Sequence, residues 1–403
     1  MIAHALARAV EVLTTAMAVA GMGYFLAAIV AARVFIAARR TQLPPFAPSV
    51  SILKSLKGVD TGMLDSFRSH CRQNYAGNYE LLFGVSSLDD PAAAAVQQLQ
   101  REFPDRAIRL IECPERLGAN GKVSALAQLV SHAQNEFLLI GDSDITVGPR
   151  YLERVMIAFS QPIKPGPRNS QPVGLVTALY RGHAHRTLAS RFEALGIATD
   201  FQPSVLLSKL IEHGMRYGLG STLAVRREAL DRIGGFAALV DFLADDYELG
   251  ARISQAGYTV ALSAEVVETS TPAYTWRGYA DHQLRWLRTV RDARPKGYVG
   301  LVVAHGLAWA LLNALASGFS PLSLWLLGLS FFLRLTLAMM VGAEVLGDHE
   351  VLPNLWLLPL RDLTALGMWT AGFAGNTIVW RGERFTVTNG ELHSADDRHS
   401  SQS

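Results

Sequence analysis

Apolar and polar positions divide this chain into greasy ends and a middle of short alternating elements. Residues 12–32 form an uncharged apolar run, long enough to cross a bilayer core of about 30 Å. A second apolar region begins near Val299 and continues, with breaks, to Trp380; within it 299–317, 322–341 and 363–380 read as further spans. Gly318 and Pro321 mark a turn between the first two, and Arg334 inside the second has to snorkel or face protein. Strict alternation of three spans would leave Arg381 and Arg384 on the outer side, so one segment is expected to be re-entrant or interfacial. Between the ends, β-rich apolar runs at 50–53, 79–85, 108–111, 136–140 and 173–179 alternate with helical patterns such as 92–103 and 122–133. That alternation predicts an α/β domain with a mostly parallel sheet covered by helices, interrupted by a Pro-rich surface loop at 160–172.

Composition sharpens this picture. Half of the 403 residues are hydrophobic and 18% are charged, too greasy for an ordinary soluble protein. A formal charge of +2 gives no case for a nucleic-acid partner. Two cysteines, Cys71 and Cys113, exclude a disulfide framework and a four-cysteine metal site, and suit a reducing compartment. Arg33, Arg39 and Arg40 follow the first span against Arg8 before it, which puts the middle domain in the cytoplasm. A cleaved leader ending near Ala18-Val19-Ala20 is the alternative; the length of the run and its basic flank weigh against it.

The candidate chemistry is acidic. In "FLLIGDSDIT" (137–146) an apolar strand ends in Asp142 and Asp144, one residue apart. Ligands of parallel sheets bind beyond the carboxyl ends of the strands, and two carboxylates on one face of an extended chain can share a hard cation. An Asp-x-Asp alone is as readily a turn before a helix. "SSLDDPA" places Asp89 and Asp90 beyond the strand ending at Val85; "FLADDYELG" places Asp245 and Asp246 at a helix start; "HQLRW" places His282, Arg285 and Trp286 in a stretch rich in Tyr and Trp. Each has an ordinary explanation, as helix caps or a membrane-interface belt, and their joint occurrence in this order is what argues for a site.

At these residues the chain resembles the metal-dependent GT-A glycosyltransferases of the ceramide glucosyltransferase type, a group that includes bacterial enzymes acting on hopanoid lipids. The likeness runs from "SVSILKSLKGVD" to "HQLRW" and weakly on to "WRGERF" (380–385). It implies a GT-A, Rossmann-like cytoplasmic domain with N- and C-terminal transmembrane helices. It also implies nucleotide contact by Asp90, with Asp89 beside it; a divalent cation (Mg or Mn) and diphosphate on Asp142 and Asp144; and Asp246 as catalytic base. Arg285 and Trp286 match the closing Gln/Arg-x-x-Arg-Trp motif, while His282 departs from its first position. "GANGKVSAL" resembles a Gly-x-Asn-x-Lys segment whose Lys122 faces the nucleotide, or is simply a solvated helix-start lysine. Asp245, Gly220, Ser221 and Thr222 are candidates for the sugar or acceptor pocket, simple turn chemistry being the alternative for the last three.

In "TPAYTWRGYADHQLRWLRTVRDARPK", Tyr274, Trp276, Tyr279 and Trp286 are ring residues of the membrane-interface type, and Arg285, Arg288, Arg291 and Arg294 can meet anionic headgroups. His305 and Asn313 in the next span are polar residues for a lipid path or for interhelical bonding. The expected layout is an anchor at 1–40, the glycosyltransferase domain at 41–270, an interfacial helix at 271–298, transmembrane or re-entrant helices at 299–382 and a polar tail at 383–403. The activity implied is transfer of one sugar from UDP-glucose or UDP-N-acetylglucosamine to a ceramide-like or hopanoid lipid in the bilayer, at a bacterial inner membrane. A processive polysaccharide synthase and an inactive sugar-nucleotide-binding membrane protein remain as alternatives. Protein partners are not indicated.

Overall fold

A computed structural model describes residues 2–161, 172–380 and 383–394; most of the Pro-rich loop, and Arg381 and Gly382 of "WRGERF", lie outside them. The chain forms two compact units, one of residues 41–183, 212–272 and 377–403, the other of residues 1–40, 184–211 and 273–376.

The first unit is built on an eight-stranded sheet. Its strands are β1 (Val50–Ser55), β2 (Tyr79–Val85), β3 (Ala107–Glu112), β4 (Phe137–Ile140), β5 (Ile145–Thr146), β6 (Val173–Ala184), β7 (Leu223–Arg226) and β8 (Thr259–Thr271), in the order β3-β2-β1-β4-β7-β6-β8-β5. The four strands expected at 50–53, 79–85, 108–111 and 136–140 pair parallel, β3-β2-β1-β4. Almost every residue of β1, β2 and β4 is buried, because helices cover both faces; hence their unbroken apolar runs. β7 runs antiparallel to β4 and to β6, which makes the sheet mixed. The parallel set sends the loops after β1, β2 and β4 to one edge, where Asp60, Asp90, Asp142 and Asp144 emerge.

The polar tail is a structured element. β9 (Thr377–Trp380), β10 (Glu383–Thr388) and β11 (Glu391–Ser394) form an antiparallel meander. Asn389 and Gly390 take φ of 53° and 85° between β10 and β11, the left-handed pair that tight hairpins favour. Ile378, Phe385, Val387 and Leu392 pack with Leu243 in a small core. Leu392 N–H donates to Asp241 O at 2.7 Å and Leu243 N–H to Gly390 O at 3.1 Å, so the meander is fastened to the segment that leads into Asp245.

The second unit is helical. Three of its helical stretches, Ile2–Ala38, Pro295–Ala316 and Pro321–Val345, are long and apolar enough to cross a membrane. The span expected at 363–380 is not one: helix Leu358–Ala371 has 14 residues, about 21 Å at 1.5 Å per residue, and the chain then turns into β9. Two of the candidate spans lie between residues 212–272 and 377–394, segments of one unit. Arg334 faces protein, with Nε and Nη2 each 2.8 Å from Asp362. Asn313 bonds across helices to Thr14 and Thr15. Arg288 and Arg291 donate to Ala374 O and Gly372 O, carbonyls at a helix C-terminus that attract cations.

Candidate active site

The first unit's acids converge on Lys122. "GANGK" folds back on the 240–245 segment: Asn120 donates to Phe242 O at 2.8 Å and lies 3.4 Å from Asp245 Oδ1, while its own Oδ1 accepts Val123 N–H and caps helix Gly121–Leu129. Lys122, at the start of that helix, places Nζ 2.9 Å from Asp142 Oδ1 and 3.2 Å from Asp245 Oδ2. Burial works against its charge, but Asp142 and Asp245 outweigh it and hold the ammonium well above the usual lysine range. Lys122 is thus neither solvated nor free; it joins two loops.

Asp245 and Asp246 open helix Asp245–Gln255. Gly250 on that helix fixes its approach: a Cβ there would lie 2.2 Å from Gly218 N, so any side chain would push the helix off the 217–220 turn. The two neighbouring carboxylates differ in what they have left over. Asp245 has Lys122 on one oxygen and Asn120 near the other. Asp246 accepts Tyr247 N–H at 2.8 Å through Oδ1, and its Oδ2 faces Gly220, where a Cβ would sit 3.1 Å from it and 3.5 Å from Asp142 Oδ2. The Asp246 and Asp142 oxygens therefore look onto one small space that glycine keeps open. Burial, then the Asp245 charge, push the Asp246 carboxyl up to about 6.

Asp142 and Asp144 emerge after β4. Asp144 Oδ2 accepts from Thr269 on β8 at 2.7 Å, and burial and then Asp142 push its carboxyl up. Sequence reasoning missed two supports. Lys54 on β1, 1% exposed, donates from Nζ to Asp142 O at 2.8 Å, its pKa lowered to about 8 by burial against the pull of Asp142 and Asp144. Asp60 accepts from the Ser143 hydroxyl between the two acids and adds to the negative field on Asp144. The signal was a lysine inside the apolar run "SILKSL" and an acid just beyond it.

Other expected residues have partners of their own. Asp90 binds backbone amides, Gly58 N–H at 2.9 and 3.1 Å and Ala92 N–H at 2.9 Å, so it shapes the loop that carries Asp60 and starts a helix. Asp89 is exposed in the same turn. Ser221 is buried with its hydroxyl toward Ala178 O, and Thr222 pairs with Tyr151 in the core; of the 220–222 set, Gly220 alone faces the carboxylates. His282, Arg285 and Trp286 belong to the helical unit, on helix Trp276–Ala293. There His282 stacks on Tyr274 with ring centroids 5.4 Å apart and sits with Nδ1 3.2 Å from Glu193 Oε1, while Gln283 donates to Glu193 Oε2 at 2.6 Å. Trp286 packs 5.2 Å from His282 and 5.8 Å from Phe201. Glu193, 3% exposed, is a second residue that the sequence did not single out.

The donor set suits a hard cation. Among the described residues no three His, Cys, Asp or Glu side chains gather as a ready-made metal cage. Asp142 and Asp144 offer oxygen ligands, and burial and then the Asp142 charge make Asp144 harder to ionise, which a cation relieves. Magnesium and manganese sites of this kind take one or two carboxylates and complete their shell with substrate phosphates and water, so the residues fit.

The model of glycosyl transferase family 21 matches residues 13–393. Ceramide glucosyltransferase 3 of Caenorhabditis elegans is 24% identical over 379 residues, covering 85% of this chain and 73% of that protein. Ceramide glucosyltransferase 1 of the same organism is 23% identical over 361 residues, 86% and 73%. Among solved structures, a mannosyltransferase of Pyrobaculum calidifontis in complex with GDP-Man and Mn2+ has a similar fold, with a TM-score of 0.52 at 20% identity over 90% of this chain and 97% of that one.

Proposed function

The chain belongs to glycosyl transferase family 21, and we propose that it moves one sugar from a UDP-sugar, UDP-glucose or UDP-N-acetylglucosamine, to a hydroxyl of a membrane lipid of the ceramide or hopanoid-polyol kind. The observation that carries the mechanism is the shared space at Gly220, with Asp246 Oδ2 on one side and Asp142 Oδ2 on the other. The acceptor oxygen attacks the anomeric carbon, the bond to the diphosphate breaks with its electron pair leaving on UDP, and the acceptor proton passes to Asp246 Oδ2. One base and one displacement give inversion. Asp246 suits that work better than Asp245, since its Oδ2 has no hydrogen-bond partner among the described residues and its pKa of about 6 lies near the operating pH of a general base. A divalent cation, held by Asp142 and Asp144, would supply positive charge to the diphosphate. Lys122 adds a fixed charge on the same side, and Arg285, with His282 beside it, is assigned to the leaving group by the family motif. Asp90 shapes the nucleotide side through the 58–60 loop.

A lipid acceptor is supported by the names of the relatives and by three helices of membrane-spanning length. Positive-inside bias at Arg33, Arg39 and Arg40 places the catalytic unit on the cytoplasmic side. The test is UDP release from purified protein given UDP-glucose and a divalent cation, with and without ceramide. Strong stimulation by the lipid is expected. Release that ignores ceramide and hopanoid polyols alike would overturn the lipid acceptor.

A further inference from the structure

The helical unit contains a second polar centre. Arg334 (helix Pro321–Met339) and Asp362 (helix Leu358–Ala371) form a two-pronged pair, and Asp200, between helices Leu188–Gly196 and Gln202–Ile211, meets both Arg334 and Arg361, the latter at 2.9 Å. Arg361 lies flat against helix Leu188–Gly196, donating to Phe192 O at 3.3 Å, in a place that only Gly196 leaves open: a Cβ there would be 2.2 Å from Arg361 Nη2. Counting the nearby Glu193, three acids face two cations. Around them stand buried polar atoms with no hydrogen-bond partner among the described residues: Tyr279 Oη, Arg361 Nη1 and His305 Nε2. Tyr279 is 1% exposed and Arg361 5%. They belong to one neighbourhood: the Tyr279 ring packs edge-on to Phe192 with centroids 6.2 Å apart, the Phe192 carbonyl is the one that accepts from Arg361, and His305 lies within electrostatic reach of Asp200 and Arg361. Tyr279 also shares a helix face, three and four residues on, with His282 and Gln283, the two residues that hold Glu193.

Leaving such groups unsatisfied among membrane helices is costly. A hydroxyl, a guanidinium nitrogen and an imidazole nitrogen together offer donors and an acceptor. Because Asp200, Asp362 and Glu193 already outnumber Arg334 and Arg361, a phosphate would meet excess negative charge, whereas an uncharged head would not. We propose that Tyr279, Arg361 and His305 form a binding site, within the helical unit, for the uncharged hydroxyl- or amide-bearing head of the acceptor lipid. This rests on the lipid-acceptor reading above.

The test uses full-length protein in phosphatidylcholine nanodiscs with graded ceramide and saturating UDP-glucose, comparing wild type, Tyr279→Phe and His305→Leu. Both variants remove an unpartnered polar atom, so neither is expected to lower the Tm. The KM for ceramide should rise about tenfold, the effect of one buried group left without its bond, while the KM for UDP-glucose stays within twofold. A ceramide KM unchanged in both variants, with wild type still stimulated by ceramide, would overturn this site and leave the lipid-acceptor reading standing. Wild-type turnover indifferent to every added lipid would remove that reading and this site with it.

Discussion

Replacing Asp246 by Asn separates chemistry from architecture. Asn has the same shape, and its carbonyl oxygen still accepts the Tyr247 N–H that Asp246 takes at 2.8 Å; the clearance at Gly220 is unchanged. What disappears is the ability to take a proton. A positioned base contributes about 10²–10⁴-fold, so kcat should fall about a thousandfold, ~4 kcal/mol of barrier. Stability should move the other way. The carboxyl sits at about 6 against an ordinary 3.8, so above pH 6 the folded state carries this charge at a cost of up to about 3 kcal/mol; that cost is absent below the unfolded value, where both states are protonated. The variant should therefore unfold at the same temperature as wild type, or higher, at pH 7.5. UDP release in detergent with UDP-glucose and ceramide, with a thermal melt on the same sample, reads both. In wild type, kcat/KM should drop on the acid side with a midpoint near 6, because the base must be ionised. A variant keeping more than a tenth of wild-type kcat would refute the assignment.

Lys122→Met leaves Asp142 and Asp245 facing each other without their cation; a loss of about 3 kcal/mol in a urea melt is expected, along with a higher KM for the donor. Chelation by EDTA should abolish UDP release and added Mn2+ or Mg2+ restore it, with Asp144→Asn raising the half-saturating metal concentration at least tenfold; full activity in EDTA would exclude the metal. Gly250→Ala drives a Cβ to 2.2 Å from Gly218 N and should lower stability by about 2 kcal/mol or more, whereas Gly367→Ala, with nothing within 4 Å of its Cβ, should raise it by up to about 1 kcal/mol.

The parallel strands were readable because burial on both faces writes itself as unbroken apolar runs between turn residues; β2 begins and ends where its run does. β8 was not, since "TVALSAEVVETST" mixes small, polar and apolar positions over 13 residues and pairs with a two-residue strand far away in sequence. The tail carried its own hairpin signal, Asn389-Gly390 between Val387 and Leu392, masked by the polar residues after it. Apolar composition alone extended a third span through 363–380, although Gly372 and Gly375 end the helix; Gly375 turns with φ of 72°. At the site, Asp142, Asp144, Asp245, Asp246 and Lys122 were legible as motifs, since each sits at an element boundary. Lys54, Asp60 and Glu193 were not. Their roles depend on partners 88, 83 and 90 positions away, and beyond a lysine set inside the apolar run of β1 the local sequence does not say what they touch. The spacing of "HQLRW" similarly gave no hint that His282 and Gln283 grip one buried carboxylate.

Transfer of a single sugar with inversion onto a lipid hydroxyl leaves a defined product. Incubation with UDP-[¹³C]glucose and ceramide, followed by mass spectrometry and NMR of the lipid extract, tests it directly. The expected product is a lipid carrying one hexose in β-linkage, the inverse of the donor's α-configuration. Label recovered as polymer, as free glucose alone, or as an α-linked glycolipid would contradict it.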